Sequence, residues 1–318
     1  MKKIIALLTV CVLLCSVSGC GSDDKEQLTV AYFANFTHAQ ALYMKAQGIL
    51  EETFPQKNVE WLRFNAGPSE IEALFAGKVD IGYIGPTPAI CAYAKSEGDV
   101  VIIAGGTNGG SALIAAEGSG IEDVSDLEGK DVAIPEYSNT QHISLLKLLG
   151  DNGLKTVSEG GTVNVVQAAN SNTLILLERG EVDAALVPEP WASIMVETLG
   201  AYRVVDFSLL EEETAATVVV VRRDYLLENP DVVEEFLRQH SIVTDYINEN
   251  EEEAKSVIVE EIYNLTGKSY NDTVIDEAFG RIEYTAEVSM DSIMEFAQIL
   301  KKIGYIGEVP SEDIVYSK

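Results

Sequence analysis

Five short loops of this chain carry the residue types that bind small polar molecules. Each follows a stretch typical of a β-strand and precedes one typical of a helix. The first N–H groups of a helix have no partner within it, and the helix dipole is positive there, so such loops favour an oxyanion. Helix capping alone explains any single loop, but five of them predict one shared cleft. The loops are Asn35, Phe36, Thr37 and His38; Gly67, Pro68 and Ser69; Gly85, Pro86, Thr87 and Pro88; Glu136, Tyr137, Ser138, Asn139 and Thr140; and Pro188, Glu189, Pro190 and Trp191.

The charges of these loops indicate what kind of molecule they would bind. None contains Lys or Arg, so an anion would depend on helix ends, on hydroxyl groups and on the imidazoles of His38 and His142. The carboxylates of Glu136 and Glu189 favour an amine instead. We therefore expect a ligand that has an oxyanion together with a cationic or hydrogen-bond-donating group. Four aromatic side chains are expected to enclose its body, although core packing explains Trp191 equally well: Phe36, Tyr83, Tyr137 and Trp191.

Motifs for covalent chemistry are absent from the sequence. It has no Gly-x-Ser-x-Gly turn, no Gly-Lys-Ser/Thr phosphate loop and no Gly-x-Gly-x-x-Gly after a strand. The three histidines, His38, His142 and His240, are far apart and lack the spacing of metal ligands. These observations predict a protein that binds without catalysis and needs neither a cofactor nor a metal.

One α/β unit occurs twice along the chain. Residues 66–89 and residues 169–192 share a layout of loop, helix, Gly-x-Val-Asp turn, apolar strand and second loop. Gly77 corresponds to Gly180, 103 residues later, and Asp80 corresponds to Asp183 at the same offset. Strands that alternate with helices in this way predict an α/β fold of two similar halves, each with a mostly parallel sheet.

Composition and charge narrow the class of partner. The chain has 318 residues, enough for two domains, and 47% of them are hydrophobic, which is typical of a globular protein. Its formal net charge of −29 argues against nucleic acid and against adsorption to an anionic lipid surface, because both need basic side chains.

The N-terminus resembles a bacterial lipoprotein signal. Lys2 and Lys3 precede an apolar segment, residues 4–17, that is too short to remain as a membrane span. The tetrapeptide at 17–20, Val-Ser-Gly-Cys, resembles a lipobox, which predicts cleavage before Cys20 and lipidation of that residue. An ordinary secretory signal with an incidental Cys is the alternative. Only Cys91 would then remain in the folded part, so no internal disulfide is expected.

Several of these segments together resemble the solute-binding proteins of the nitrate/sulfonate/taurine class of ABC importers. The similarity spans roughly residues 28–207. The segments that carry it are Asn-Phe-Thr-His-Ala at 35–39, Gly-Pro-Ser-Glu-Ile-Glu-Ala-Leu at 67–74, Gly-Lys-Val-Asp-Ile-Gly at 77–82, Asp-Leu-Glu-Gly-Lys-Asp-Val-Ala at 126–133, Gly-Glu-Val-Asp-Ala at 180–184 and Pro-Glu-Pro-Trp at 188–191.

The resemblance implies the two-lobed periplasmic-binding-protein type II fold. Residues 1–19 would be the signal peptide and 20–27 a tether. Lobe 1 would hold residues 28–111 plus 222–318, and lobe 2 would hold 112–221. Two crossovers, at residues 107–111 and near 217–222, would form a hinge on which the cleft closes around the ligand.

The function that the resemblance implies is transport. A lipid-anchored, extracytoplasmic monomer would capture a sulfonate, taurine or nitrate-like solute and deliver it to a membrane permease, with no bond made or broken. An amino-pyrimidine thiamine precursor, or a related amine-bearing solute, is the alternative ligand. A lipoprotein sensor or an enzyme of the same fold is a further alternative.

Overall fold

The computed structural model describes residues 26–209 and 214–316. The predicted signal peptide, Cys20 and the acidic run at 211–213 lie outside the described residues. The strands are β1 (Glu26–Phe33), β2 (Lys57–Phe64), β3 (Ile81–Ile84), β4 (Val100–Gly109), β5 (Ser111–Ala115), β6 (Asp131–Ile134), β7 (Asn164–Gln167), β8 (Ala184–Pro188), β9 (Tyr202–Asp206), β10 (Ala215–Arg222) and β11 (Ile282–Tyr284). The helices are α1 (Ala39–Ala46), α2 (Ile49–Thr53), α3 (Gly67–Phe75), α4 (Pro86–Lys95), α5 (Thr140–Asp151), α6 (Asn170–Glu178), α7 (Trp191–Leu199), α8 (Arg223–Glu228), α9 (Pro230–Glu249), α10 (Glu251–Thr266), α11 (Asp272–Phe279) and α12 (Met290–Lys302).

Two mixed sheets form the frame of the molecule. The first has the strand order β2-β1-β3-β10-β4-β11 and the second has the order β7-β6-β8-β5-β9. In each, three parallel strands (β2-β1-β3 and β7-β6-β8) are followed by antiparallel partners. The predicted α/β class is therefore confirmed. We call residues 26–110 with 214–316 the first lobe, and residues 111–209 the second lobe.

The internal repeat is confirmed by the positions of its elements. Helices α3 and α6 begin and end 103 residues apart, and so do the first residues of β3 and β8. The repeated aspartates have the same role in both lobes. Asp80 accepts a hydrogen bond from Thr29 N–H at 2.9 Å, and Asp183 accepts one from Asp131 N–H at 2.9 Å. Each carboxylate thus connects its Gly-x-Val-Asp turn to the backbone of the neighbouring parallel strand.

Apolar side chains bury both faces of each sheet, which explains the continuous apolar runs in the sequence. Strands β4 and β10 are the clearest case, because the residues from Val100 to Ala104 and from Val218 to Val221 are all buried. Their side chains alternate between two clusters of core residues on opposite faces of the first sheet. Two smaller clusters cover the faces of the second sheet.

The chain passes from the first lobe to the second at Gly109 and Gly110. Both have left-handed backbones, with φ of 71° and 65°, which glycine adopts without the steric cost of a side chain. This crossover lies within the predicted hinge at 107–111. The return crossover lies between Asp206 and Ala215, not near 217–222 as expected. The reason is that the apolar segment at 217–222 belongs to β10, which pairs with β3 and β4 inside the first sheet and therefore does not cross between the lobes.

Candidate functional site

The gap between the lobes receives the N-termini of four helices. Helices α3 and α4 come from the first lobe, and α5 and α6 come from the second. Each helix follows a parallel strand, and the carboxyl ends of parallel strands meet at one edge of a sheet. The gap is therefore lined by N–H groups at the positive ends of four helix dipoles.

The part of the gap between these helix N-termini is a cavity of about 40 Å³, which we call the inner chamber. Nine residues of the predicted loops line it: Asn35, Thr37, His38, Gly67, Gly85, Pro88, Asn139, Thr140 and Pro188. Sequence reasoning missed seven further lining residues: Phe33, Asn65, Ala66, Pro135, Gln141, Asn170 and Ala216. Asn65 and Asn170 could have been predicted from the sequence, because each lies where a strand is followed by a helix, as the predicted loops do. Among the residues that the structure describes, no Asp, Glu, Lys or Arg lines the inner chamber.

His38 supplies a neutral hydrogen-bond donor to the inner chamber. Its Nδ1 accepts a hydrogen bond from Phe33 N–H at 3.3 Å, so the ring proton belongs on Nε2. Burial lowers the pKa of His38 to about 3, because no nearby carboxylate compensates the loss of water. The imidazole is thus uncharged at neutral pH and presents an N–H group.

His142 is the counterpart of His38 in the second lobe, but it has a different position. Its Nδ1 accepts a hydrogen bond from Ser138 N–H at 3.0 Å, in a turn where Ser138 has a φ of 67°. Its ring packs against Tyr137 and Tyr305, with centroid distances of 5.2 and 6.3 Å, and lines neither part of the gap. Burial lowers the pKa of His142 to about 4. His142 therefore holds its loop instead of reaching into the cavity.

The asparagines of the first and fourth loops act as helix caps. Asn35 Oδ1 accepts from Thr37 N–H at 3.0 Å, and Asn139 Oδ1 accepts from His142 N–H at 2.8 Å. Both side-chain oxygens are therefore occupied by helix capping, which is the role that capping alone would give these loops. Both residues still line the cavity, because the caps lie at its wall.

The lobes touch each other beside the inner chamber. Thr87 Oγ1 of α4 lies 3.5 Å from Thr140 Oγ1 of α5. Gly85 fits this contact because a Cβ there would lie 2.3 Å from the same Thr140 oxygen. The two lobes are thus in contact at the wall of the inner chamber.

A larger cavity of about 560 Å³, which we call the outer chamber, adjoins the inner one. The two chambers share wall residues, among them Phe33, Asn65 and Asn170. Four of the predicted residues line the outer chamber: Asn35, Ser69, Glu136 and Trp191. Its wall also contains Arg63, Lys268 and Tyr270, none of which the sequence had singled out.

Two of those side chains add cations to a cleft whose predicted loops contain neither Lys nor Arg. Arg63 lies at the end of β2, where its Nη1 donates to Leu265 O at 2.7 Å. Lys268 Nζ lies 4.5 Å from the centre of the Trp191 ring, within range of a cation–π contact. Arg63 is the second-to-last residue of β2, so its place near the carboxyl edge of the sheet could have been predicted from the sequence. Lys268 follows α10, far from the repeated loops, and no sequence signal marked it.

Several predicted site residues lie in the core or outside both chambers. Phe36 is fully buried, with its ring 4.7 Å from that of Phe279, so it does not enclose a ligand in this arrangement. Tyr83 is also fully buried, and its hydroxyl pairs with His240 Nδ1 at 2.8 Å. The remaining predicted residues that line neither chamber are Pro68, Pro86, Thr87, Tyr137, Ser138 and Glu189.

Glu189 requires a correction, because it was expected to attract an amine. Its carboxylate is 1% exposed and forms an ion pair with Arg203 at 2.8 Å. Ser193 N–H donates to the second oxygen at 3.0 Å. Burial raises the pKa of Glu189, while Arg203 and Ser193 act in the opposite direction. The carboxylate is thus already neutralised inside the second lobe.

Glu136 lies beside the cleft, at the position predicted for it. It is half-buried in the wall of the outer chamber. Burial raises its pKa, and the negative charge of Glu72 adds to the effect. Glu136 is therefore the one predicted acid that reaches the outer chamber.

The described part of the chain contains no group of three or more acidic, His or Cys side chains placed to hold a metal ion. Within residues 26–209 and 214–316, no helix is long and apolar enough to span a membrane.

Comparisons with known proteins give a consistent result. The sequence profile of the NMT1-like family matches residues 21–262. A Bacillus subtilis (strain 168) protein named "Putative aliphatic sulfonates-binding protein" is 27% identical over 303 residues, covering 93% of this chain and 87% of that protein. The taurine-binding periplasmic protein of Escherichia coli (strain K12) is 30% identical over 194 residues, which are 59% of this chain and 58% of that protein.

A solved structure extends the comparison to the fold. The alkanesulfonate-binding protein SsuA from Xanthomonas axonopodis pv. citri, bound to MOPS, matches with a TM-score of 0.76 at 18% identity. The match covers 91% of this chain and 98% of that protein. The fold is that of the periplasmic binding proteins, with the predicted type II arrangement of two lobes.

Proposed function

Because this chain belongs to the NMT1-like family and has the periplasmic-binding-protein fold, we propose that it is the solute-binding protein of an ABC importer. It binds a small solute with an oxyanion, of the sulfonate, taurine or nitrate kind, between its lobes. It then delivers the solute to the permease subunits of the importer. The relatives named for binding aliphatic sulfonates and taurine support this class of ligand.

The observation that carries the proposal is the inner chamber. Four helix N-termini and the neutral Nε2–H of His38 converge there, and none of the described residues places a carboxylate in the wall. Donors of this kind favour a small oxyanion. Because they carry no full charge, the site does not incur the free-energy cost of removing a charged side chain from water. The wall residues proposed to contact the oxyanion are Asn35, Thr37, His38, Asn65, Gly67, Gly85, Asn139, Thr140 and Asn170.

The lobes act as two rigid bodies that close on the solute. Gly109 and Gly110 form one crossover, and the chain between Asp206 and Ala215 forms the other. The Thr87–Thr140 contact supports a closed arrangement, in which the permease recognises the loaded protein. No step of this cycle is catalytic, and the protein acts as a monomer without a cofactor.

An amine-bearing solute such as an amino-pyrimidine is the second candidate, and Glu136 favours it. A carboxylate in the wall of the outer chamber stabilises a cationic or amino group of the ligand. Trp191 and Tyr270 line the same chamber and offer aromatic surface for a ring. Because Glu189 is paired with Arg203, only Glu136 of the two predicted acids is available to bind an amino group of the ligand.

The proposed location is the outer face of the cytoplasmic membrane, with Cys20 as the lipidated first residue of the mature protein. The segment between Cys20 and the start of β1 at Glu26 serves as the tether that lets the lobes reach the permease. Acyl chains hold a protein at the membrane without a spanning helix.

Calorimetric titration of the mature protein tests the function directly. The panel is ethanesulfonate, taurine, nitrate and 4-amino-5-hydroxymethyl-2-methylpyrimidine, with acetate as a control oxyanion. Binding of a sulfonate, taurine or nitrate with a Kd below about 0.1 mM supports the proposal, since that corresponds to roughly −5.5 kcal/mol. Binding of the pyrimidine alone favours the second candidate. If the folded protein binds none of them, the proposal is wrong.

A further inference from the structure

The outer chamber combines three features that the inner chamber lacks: cations, aromatic surface and a large volume. Its volume of about 560 Å³ is far more than the body of a simple sulfonate needs. Arg63 and Lys268 lie in its wall, and Glu136 is the acid there. The charged wall therefore remains net positive.

The two cations are unusual for this chain. The sequence has 51 acidic residues and 22 basic ones, so most basic side chains are expected to form ion pairs with a carboxylate. Five of the seven arginines lie within 4.0 Å of a carboxylate. Within residues 26–209 and 214–316, neither Arg63 nor Lys268 forms such an ion pair. Arg63 contacts a carbonyl, and Lys268 lies over an aromatic ring.

We propose that the outer chamber is a second anion subsite, and that the solute is an oxyanion with a further acidic group at its other end. The inference rests on the proposed function, since it specifies the solute of the same cleft. The first oxyanion lies among the helix N-termini of the inner chamber. The second, a carboxylate or a second sulfonate, forms ion pairs with Lys268 and Arg63.

Both cations belong to the first lobe, so an anion pairs with them through charge-assisted contacts within that lobe. Lys268 also contacts the second lobe, because its ammonium group lies over the ring of Trp191, which begins α7. The proposed subsite therefore lies where the two lobes meet.

Matched ligands test the subsite separately from the function. Sulfoacetate, 3-sulfopropionate and 4-sulfobutyrate are compared with their carboxamides, which keep the size and the sulfonate but lose the second charge. We expect at least one dianion to bind about tenfold tighter than its amide, and the ratio to fall as salt screens the ion pairs.

Matched variants assign the preference to residues. Lys268→Gln and Arg63→Gln should each reduce the dianion-to-amide ratio, and the double variant should bring it close to one. Lys268→Arg should retain the preference. Lys78→Gln, an exposed lysine just beyond the far end of α3, is the control for charge loss.

The outcomes separate the two claims. Equal affinity for dianions and amides overturns the second subsite and leaves the proposed function intact. A preference that survives the double variant overturns the assignment to Arg63 and Lys268. If neither ligand series binds, sulfonate capture itself is wrong.

Discussion

The hydroxyl oxygens of Thr87 and Thr140 lie 3.5 Å apart across the gap between the lobes, and Gly85 is what permits that distance. A Cβ on Gly85 would lie 2.3 Å from the Thr140 oxygen. The backbone at Gly85 has a φ of −66°, which other residues adopt freely, so the contact with Thr140 is the steric reason for glycine there.

Gly85→Ala should therefore weaken solute binding, by about tenfold, because the lobes then close against a methyl group (about 1.4 kcal/mol). The melting temperature of the empty protein should change little. Calorimetric titration in a double-mutant cycle with Thr140→Ala is the measurement. If closure is the cause, the Gly85→Ala effect shrinks in the Thr140→Ala background. An undiminished effect would mean that the methyl group blocks the inner chamber directly.

Glu189 and Glu136 should respond oppositely to the same substitution. Glu189→Gln breaks a buried ion pair with Arg203, so it should lower the free energy of unfolding, by about 3 kcal/mol. Glu136→Gln, at the wall of the outer chamber, should change ligand affinity with little change in stability. Urea unfolding and calorimetric titration of both variants distinguish the roles. A Glu189→Gln variant with native stability would refute the structural role of that residue.

The three histidines should stay uncharged well below neutral pH. Burial lowers the pKa from the ordinary 6.5 to about 3 for His38 and to about 4 for His142 and His240. The unfolded chain gains these protons below about pH 6.5 and the folded chain does not, so their contribution to stability is full above pH 6.5 and falls as the pH drops towards 4. NMR titration of the ring protons should show neutral imidazoles down to pH 5. A ring that titrates near pH 6.5 would contradict its burial.

The buried carboxyl group of Glu70 should lower the free energy of unfolding at neutral pH. It is fully buried on α3, neither of its oxygens has a hydrogen-bond partner among the described residues, and burial raises its pKa well above 4.5. Folded Glu70 keeps a proton that the unfolded chain loses, so stability falls as pH rises above 4.5.

Glu70→Gln removes this ionisation and should raise the free energy of unfolding at pH 7, by at least about 1 kcal/mol. The gain should vanish near pH 4, where both forms are neutral. Urea unfolding at the two pH values provides the comparison, with Glu72→Gln, on the exposed side of the same helix, as the control. A gain of equal size at both pH values would count against a buried ionisation.

Cys20→Ser tests the proposed lipid anchor. In cells, the variant should move from the membrane fraction to the medium or periplasm, because only acylation would hold the protein at the membrane. Cys91→Ser, at a buried helical position, is the control and should leave the fractionation unchanged. Membrane retention of the Cys20→Ser protein would exclude lipidation at that residue.

The fold was predictable because its determinants are local and repeated. Apolar strands, helix-starting prolines and the paired Gly-x-Val-Asp turns at Asp80 and Asp183 specify two similar α/β units without long-range information. The same regularity located the loops of the inner chamber, since a loop between a parallel strand and its helix always lies at the carboxyl edge of the sheet. His38, Thr140 and the glycines of the cleft follow from that rule.

What the tertiary structure decided was which side chains are free to act. The carboxylates of Glu189 and Glu136 look alike in the sequence. In the structure, Arg203 neutralises Glu189, whereas Glu136 lies in the wall of the outer chamber. Lys268 reaches Trp191 only because α10 and α11 bring the C-terminal segment back over the cleft. Charge and residue type are local properties, whereas partners depend on contacts between segments far apart in the chain. Only the folded arrangement therefore determined the electrostatics of the site.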